Sequence, residues 1–115
     1  MERDDCIFCK IARGEIPSRM LHQDDRVVAF DDVNPAAPVH FLVIPREHID
    51  TLDDAREEHA ALLGHMLFVG AKLARERGVA DDGYRQVINC RANGGQVVFH
   101  LHLHILGGRP MRRMG

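Results

Sequence analysis

The sequence lacks a long hydrophobic run and a strong excess of charge of either sign. None of its apolar stretches approaches the roughly 20 residues needed to span a membrane. Its charged first residues lead into no apolar segment of the kind that forms a signal peptide. The formal net charge of −2 argues against a nucleic-acid-binding protein, which usually carries a basic patch. We therefore expect a cytoplasmic protein that contacts neither membranes nor nucleic acid.

Cysteine is also scarce, with three residues in 115, and this excludes a disulfide framework. Cys6 and Cys9 have the C-x-x-C spacing that indicates metal or redox chemistry in a reducing compartment. Cys90 ends an apolar run and is predicted to be a buried small hydrophobe. There are no repeats or linkers, so the length predicts one domain over residues 1–115 with a basic tail at about 109–115.

Histidine, in contrast, is abundant, with eight residues, and three of them alternate with apolar residues in His100–Leu106. Successive side chains on a strand point to opposite faces, so His100, His102 and His104 should line one surface, roughly 7 Å apart. Burying three imidazoles without using them would be costly, since each needs a hydrogen-bond partner. We therefore predict a functional site on this strand.

The rest of the chain predicts an α+β fold in which a five-stranded antiparallel sheet packs against one long helix. A short helix over 6–14 should end at Gly14. Apolar runs separated by turns predict the strands 20–22, 26–31, 39–44, 84–89 and 100–106. The strand 39–44 is apolar at every residue except His40, which is either a satisfied core histidine or part of the site.

The long helix is predicted over about 54–77, with acidic residues at its start and basic residues at its end. Its core-facing stripe follows from apolar residues at three- and four-residue spacing: Leu62, Leu63, Met66, Leu67, Gly70 and Leu73. His59 and His65 on the same helix are predicted to be structural or solvated.

Two kinds of chemistry suit the alternating histidines. Imidazole is nucleophilic at neutral pH when an acceptor holds one ring nitrogen and the other is free. Attack on phosphorus would give a phosphoryl-imidazole, while neighbouring rings and loop amides stabilise the nonbridging oxygens. The alternative is a metal site, as in β-barrel metalloenzymes, although no carboxylate lies near the three histidines in sequence.

The alternating histidines, together with Asp31-Asp32, the stretch 37–45 and the ending Gly107-Gly108-Arg109-Pro110, resemble the histidine triad superfamily. Within it the resemblance is to the Hint branch, the histidine-triad nucleotide-binding proteins, and it covers about Cys6 to Met111. It implies an α+β homodimer with a continuous ten-stranded sheet and a purine nucleotide ligand. It also implies hydrolysis of purine nucleoside phosphoramidates, in which AMP is joined to an amine or a lysine.

The resemblance also assigns roles by position. His102 corresponds to the nucleophile, His104 to a phosphate contact, and His40 to a fourth histidine that supports the triad, of which His100 is the first member. Asp32 corresponds to the carboxylate that accepts the ribose hydroxyls. The purine clamp corresponds to Ile7, Phe8, Phe30 and Val33, and the phosphate-binding segment to Asn89, Gly95, Gln96 and Val97.

Val97 departs from the superfamily pattern, in which a serine hydroxyl at this position often assists the leaving group. This departure keeps a second function open, a nucleotide-binding regulatory or scaffold protein with weak catalysis. A third, hydrolysis of dinucleoside polyphosphates, is less favoured because Gly107-Gly108-Arg109-Pro110 resembles the Hint branch.

Members with the Cys6-x-x-Cys9 pair resemble the galactose-1-phosphate uridylyltransferases, in which zinc is held by two cysteines and two histidines. The matching residues in this sequence are Cys6, Cys9, His48 and His100. Two thiolates and two imidazoles suit a closed tetrahedral zinc site, and the alternative is a pair of half-buried thiols.

Overall fold

A computed structural model describes residues 3–114 of the chain. Met1, Glu2 and Gly115, which the predicted domain and tail include, lie outside the described residues. The helices are α1 (Ile7–Ala12), α2 (Ala60–Glu76) and α3 (Arg91–Gly94). The strands are β1 (Met20–Gln23), β2 (Val27–Asp31), β3 (Val39–Pro45), β4 (Tyr84–Val87) and β5 (Leu103–Gly107). No helix among residues 3–114 is long and apolar enough to cross a membrane.

The five strands form one antiparallel sheet in the order β1-β2-β3-β5-β4. β1 and β2 form a hairpin, and β5 lies between β3 and β4. The central strand β3 is buried along almost its whole length, which agrees with its uninterrupted apolar sequence. In the register of β3 and β5, Leu42 lies opposite His104.

The two faces of the sheet bury alternate residues of the same strands. On one face, α2 packs over a core to which β2 contributes Val27 and Ala29. On the other face, α1 packs over Val28 and Phe30. Helix α1 ends at Ala12, two residues before the predicted stop at Gly14. Gly14 follows the Arg13 cap and has a positive φ of 78°, which a glycine adopts without steric cost.

The long helix begins later than its sequence predicts. Leu52–Asp54 and Glu57–His59 form two 3₁₀ turns, and the α-helix starts at Ala60. Ala55 and Arg56 between the turns are extended, so a continuous helix from 54 is wrong. The side chain of His59 accepts a hydrogen bond from the Arg56 backbone N–H at 2.9 Å, which caps the second turn locally.

The buried face of α2 also differs in part from the predicted apolar stripe. Leu62, Met66, Gly70 and Leu73 are buried as expected and Leu63 packs against the core, whereas Leu67 is 47% exposed. Val69 and Ala74 are buried in its place. The buried face therefore lies about one residue further round the helix than the leucine spacing indicates.

The histidine segment is only partly strand. His100, Leu101 and His102 precede β5, and only His104 lies on the hydrogen-bonded ladder. Alternation nevertheless holds, because Leu101, Leu103 and Ile105 belong to the core under α2. β4 likewise ends at Val87 rather than 89, and Cys90 is half-buried at the start of α3 rather than fully buried.

Candidate active site

A cavity of about 510 Å³ opens beside α1, on the sheet face opposite α2. Most of the residues that the sequence assigned to nucleotide binding line it: Ile7, Phe8, Phe30, Asp32, Val33, Asn89, Gly95, Val97, His102 and His104. Ile11, Ile16 and Val98 also line it and were not predicted. They come from segments whose apolar residues look like ordinary core residues in the sequence.

One ring nitrogen of His102 is hydrogen-bonded to the backbone. Its Nδ1 lies 2.8 Å from the carbonyl oxygen of His100, and since a carbonyl only accepts, Nδ1 carries the hydrogen. In the neutral ring the lone pair is then on Nε2. The Phe8 ring packs nearly perpendicular to the imidazole, with ring centroids 5.2 Å apart. The site therefore holds this histidine in the tautomer that a nucleophile requires.

His104 is oriented by a chain of two hydrogen bonds, the histidine relay, which begins at the backbone amide of Ala36 and passes through His40. The Ala36 N–H donates to Nδ1 of His40 at 2.9 Å, so the hydrogen of a neutral His40 is on Nε2. That Nε2 donates to Nδ1 of His104 at 2.9 Å and lies 3.4 Å from an Asp32 carboxylate oxygen. His104 is therefore left with a hydrogen on Nε2, which suits donation to a phosphate oxygen.

The rings of His102 and His104 have centroids 4.9 Å apart, closer than the roughly 7 Å expected from strand geometry. His102 lies just before β5, whereas His104 lies on the ladder. Burial lowers the pKa of His40 and of His102. Burial, reinforced by the neighbouring His102 and His40, lowers the pKa of His104 to about 4. All three rings are therefore neutral near pH 7.

The loop from Asn89 to Val97 has backbone features of a constrained segment. Gly95 has a φ of 86°, and Arg91 has a φ of 61°, which is uncommon for a residue other than glycine. The Gln96 side chain accepts from the Arg91 N–H at 2.8 Å and donates to the carbonyl oxygens of Asp50 and Val98. Gln96 thus braces the loop and is not among the residues that line the cavity, whereas Val97 lines it and is 86% exposed.

The four residues assigned to zinc converge behind α1. Nδ1 of His100 lies 3.2 Å from Sγ of Cys6 and 3.5 Å from Sγ of Cys9, and Nδ1 of His48 lies 3.3 Å from Sγ of Cys9. These four ligand atoms all lie within 4.8 Å of one another.

The far nitrogens of both imidazoles in this cluster are held by acceptors. Nε2 of His100 donates to the Pro45 carbonyl at 2.8 Å, and Nε2 of His48 donates to the Asp50 carboxylate at 2.6 Å. This leaves both Nδ1 lone pairs directed at the thiols, the arrangement typical of metal-bound histidine. Asp50 was missed in the sequence, although its position two residues after His48 was a usable signal. His100 is fully buried and belongs to this cluster rather than to the cavity wall.

Comparison with known proteins agrees with this geometry. A family model described as "Scavenger mRNA decapping enzyme C-term binding" matches residues 5–114. The chain is 50% identical over 111 residues to the purine nucleoside phosphoramidase of Escherichia coli K12, covering 96% of this chain and 93% of that protein. The chain belongs to the histidine triad superfamily. Since it matches a curated hydrolase over nearly its whole length, it is an enzyme of that superfamily.

Solved histidine triad structures have the same fold. A histidine triad protein from Clostridium difficile superposes with a TM-score of 0.96 at 49% identity, covering 100% of both chains. A Zn-bound histidine triad family protein from Mycobacterium smegmatis superposes with a TM-score of 0.79 at 33% identity, covering 91% of this chain and 76% of that one. This histidine triad chain thus shares the α+β fold of its relatives, including one that binds zinc.

Proposed function

We propose that this protein hydrolyses purine nucleoside phosphoramidates through a covalent nucleotidyl intermediate on His102. The observation that carries the proposal is the hydrogen bond from Nδ1 of His102 to the His100 carbonyl, which leaves Nε2 as an unprotonated nucleophile in a ring that lines the cavity. The 50% identity to a purine nucleoside phosphoramidase supports the substrate class.

In the first step, Nε2 of His102 forms a bond to the α-phosphorus and the P–N bond of the substrate breaks. The amine departs with the electron pair of that bond and takes a proton from solvent. The Nε2–H of His104 donates to a nonbridging oxygen and stabilises charge that develops there. Water then attacks phosphorus, its hydroxyl remains on the nucleoside monophosphate, and its proton returns to solvent as the His102–phosphorus bond breaks.

The cavity suits a purine nucleotide because its walls divide into apolar and polar parts. Phe8 and Phe30, whose rings contact edge to face at a centroid distance of 5.6 Å, would pack with Ile7 and Val33 against the base. Asp32 would accept the ribose hydroxyls. Its Oδ1 already accepts from the Asn34 N–H at 2.8 Å, which holds the carboxylate at the cavity wall. Asn89, Gly95 and Val97 would surround the phosphate.

We also propose that Cys6, Cys9, His48 and His100 hold a structural zinc ion. Two sulfur and two nitrogen ligands complete a tetrahedral shell, and the existence of a Zn-bound histidine triad relative supports zinc as the ion. Zinc would supply a cross-link between α1, which carries Cys9, and the segment leading into β5. Three free thiols suit a reducing compartment such as the cytoplasm.

The protein is further proposed to be a homodimer with a continuous ten-stranded sheet. β4 is one of the two terminal strands of the sheet and pairs within residues 3–114 only with β5. Next to it, Leu67 and Phe68 of α2 are 47% and 63% exposed, and the Gln86 side chain of β4 reaches the Leu67 carbonyl at 3.3 Å. An unpaired edge flanked by exposed apolar side chains suits a symmetric partner.

The decisive experiment compares adenosine phosphoramidate hydrolysis by the wild type with that of His102→Ala. We expect the variant to lose turnover by at least about 10³-fold, as when a catalytic nucleophile is removed, while AMP binding measured by calorimetry persists. His65→Ala, a histidine substitution on α2 outside the cavity, should hydrolyse at the wild-type rate. Full activity in His102→Ala would exclude the covalent mechanism.

Val97 favours one alternative, a nucleotide-binding regulatory or scaffold protein with weak catalysis, because no hydroxyl stands at this exposed position on the cavity wall. The same assay separates the two functions. A wild-type rate no higher than that of His102→Ala, together with retained AMP binding, would select the scaffold.

A further inference from the structure

A second cluster of metal-binding side chains lies at the β1–β2 hairpin, apart from the cavity and from the cysteines. His22 comes from β1, Asp24 from the hairpin turn and His65 from α2. Nε2 of each histidine lies 2.7 Å from the same oxygen, Oδ2 of Asp24. One ligand atom from each of the three residues lies within 4.8 Å of the other two.

The backbone of the turn aims the Asp24 carboxylate. Its Oδ1 accepts from the N–H groups of Arg26 at 2.8 Å and Val27 at 2.9 Å, an arrangement typical of an aspartate that closes a turn. The Nε of Arg46 donates to the Asp24 carbonyl at 2.7 Å and holds the turn from the other side. Oδ2 is thereby left to face the two imidazoles in a fixed direction.

We propose that His22, Asp24 and His65 bind a divalent transition-metal ion, with Zn²⁺ as the ion that best suits this donor set. Two imidazole nitrogens and one carboxylate oxygen form a known three-ligand shell for zinc, completed by water. The three side chains are 18%, 26% and 32% exposed, so water reaches the remaining coordination positions.

Binding requires only a small local change. In a tetrahedral shell, zinc ligands at about 2.0–2.2 Å from the ion lie roughly 3.3–3.6 Å from one another, so each nitrogen must move roughly 0.6–0.9 Å away from Oδ2. Each neutral ring then carries its hydrogen on Nδ1. Two N–H···O hydrogen bonds are replaced by two nitrogen–metal bonds and one oxygen–metal bond, and no net proton need be released.

The ion would join the first hairpin to α2. The three ligands lie on separate elements, and His22 and His65 are 43 positions apart in the sequence. Because such a site is assembled only in the folded chain, bound metal would favour the folded state. The expected consequence is a melting temperature that rises with metal concentration.

The test is a titration of the chelator-treated, full-length protein with Co²⁺, read by optical absorption, and with Zn²⁺, read by equilibrium dialysis. We expect two equivalents of metal per chain. The Co²⁺ bound by cysteines gives a thiolate charge-transfer band, and the Co²⁺ bound at the hairpin gives ligand-field bands without it. The two sites can therefore be distinguished by their absorption. If the cysteines bind no metal, only the thiolate charge-transfer band is absent, and the bands of the hairpin site remain.

Asp24→Asn is the sharpest variant, because an asparagine Oδ1 still accepts the two turn amides while the second carboxylate oxygen is lost. It should weaken the affinity of the hairpin site for metal at least tenfold and leave the thiolate band of the cysteine site unchanged. Asp25→Asn, at the adjacent exposed residue, is the matched control and should bind both equivalents. His65→Gln, at a half-exposed helix position, gives a second test should Asp24→Asn fold poorly. The proposal would be overturned if the wild type bound metal only at the cysteines, or if metal binding were unchanged in both variants. His22, Asp24 and His65 would then only hold the hairpin to α2 by hydrogen bonds.

Discussion

At the scale of single residues, the chemistry of the cavity depends on which ring nitrogen of each histidine carries hydrogen. A carbonyl determines this for His102 and a backbone amide determines it for His40, and the amide acts through His40 on His104. Backbone groups cannot change protonation state near neutrality, so they hold the same tautomers over a wide pH range. A ring with a free Nε2 lone pair (His102) and a ring with an Nε2–H (His104) are therefore neighbours while both are neutral.

This neutrality predicts how stability varies with pH. His104 has a pKa near 4 in the folded chain and near 6.5 when unfolded, so the unfolded state binds more protons between these values. The free energy of unfolding should therefore rise with pH through this window and fall as the pH is lowered from 6.5 to 4. Urea unfolding of the wild type and of His104→Asn at several pH values measures the effect.

In that experiment, His104→Asn should show a shallower pH dependence between 4 and 6.5, because the titrating ring is gone while an acceptor for His40 remains. Comparison at pH 7 gives the cost of the substitution itself. A slope identical to that of the wild type would contradict the assignment of this proton linkage to His104.

The sequence predicts which residues line the cavity better than it predicts their contacts. The alternation of His100, His102 and His104 with leucines holds in the structure, because a two-residue period survives wherever the backbone is extended. Gln96 shows the limit, since its side chain is occupied by carbonyl and amide groups of Asp50, Val98 and Arg91. Such backbone partners leave no pattern in the sequence.

At the scale of elements, the start of α2 shows where local signals fail. The acidic residues at 53–58 suggest a helix start that favours negative charge. In the structure, Asp53 and Asp54 instead form ion pairs with Arg91 at 3.1 and 3.2 Å, and the Thr51 hydroxyl donates to Asp54 at 2.6 Å. Arg91, which lies 38 and 37 positions later in the chain, thus takes part in holding these carboxylates, and the local composition cannot reveal this.

The buried face of α2 predicts a large cost for truncating Leu73. Its side chain is 2% exposed in the core under the helix, and removing a buried leucine side chain typically costs about 2–5 kcal/mol. Leu73→Ala should lower the free energy of unfolding by this amount in urea. Leu52→Ala is the matched control, since Leu52 is 37% exposed in a 3₁₀ turn and should cost less than about 1 kcal/mol. Equal losses in both variants would contradict the observed packing.

Helix α1 has only six residues, too few to be stable alone, and we expect zinc to strengthen its attachment to the sheet. Cys6→Ser combined with Cys9→Ser should lower the zinc content by about one equivalent per chain and lower the melting temperature. Cys90→Ser, outside the cluster, should keep the full content. Retention of all its zinc by the double variant, or a parent protein without zinc after purification in the absence of chelators, would exclude the cysteine site.

At the scale of the whole molecule, the larger apolar core and the candidate active site lie on opposite faces of the sheet. The face under α2 holds the larger apolar core, while the opposite face carries the cavity, the histidine relay and the cysteines. Both faces draw on alternate residues of the same strands, so β3 must be apolar on both sides and His40 is its only polar side chain. The fold class could be predicted from this alternation of apolar residues. The alternation does not indicate whether two chains form a dimer.

The proposed dimer is tested at the edge where β4 ends the sheet. Light scattering of the wild type should give twice the chain mass of 13.0 kDa. Phe68→Glu places a charge on the exposed apolar face of α2 beside β4, and since burying an unpaired charge is costly, it should shift the protein to the monomer mass. Val33→Glu introduces the same charge at an 87% exposed residue of the β2–β3 loop and should leave the dimer intact. A wild-type monomer would exclude the ten-stranded sheet, and a Phe68→Glu dimer would move the interface away from this edge.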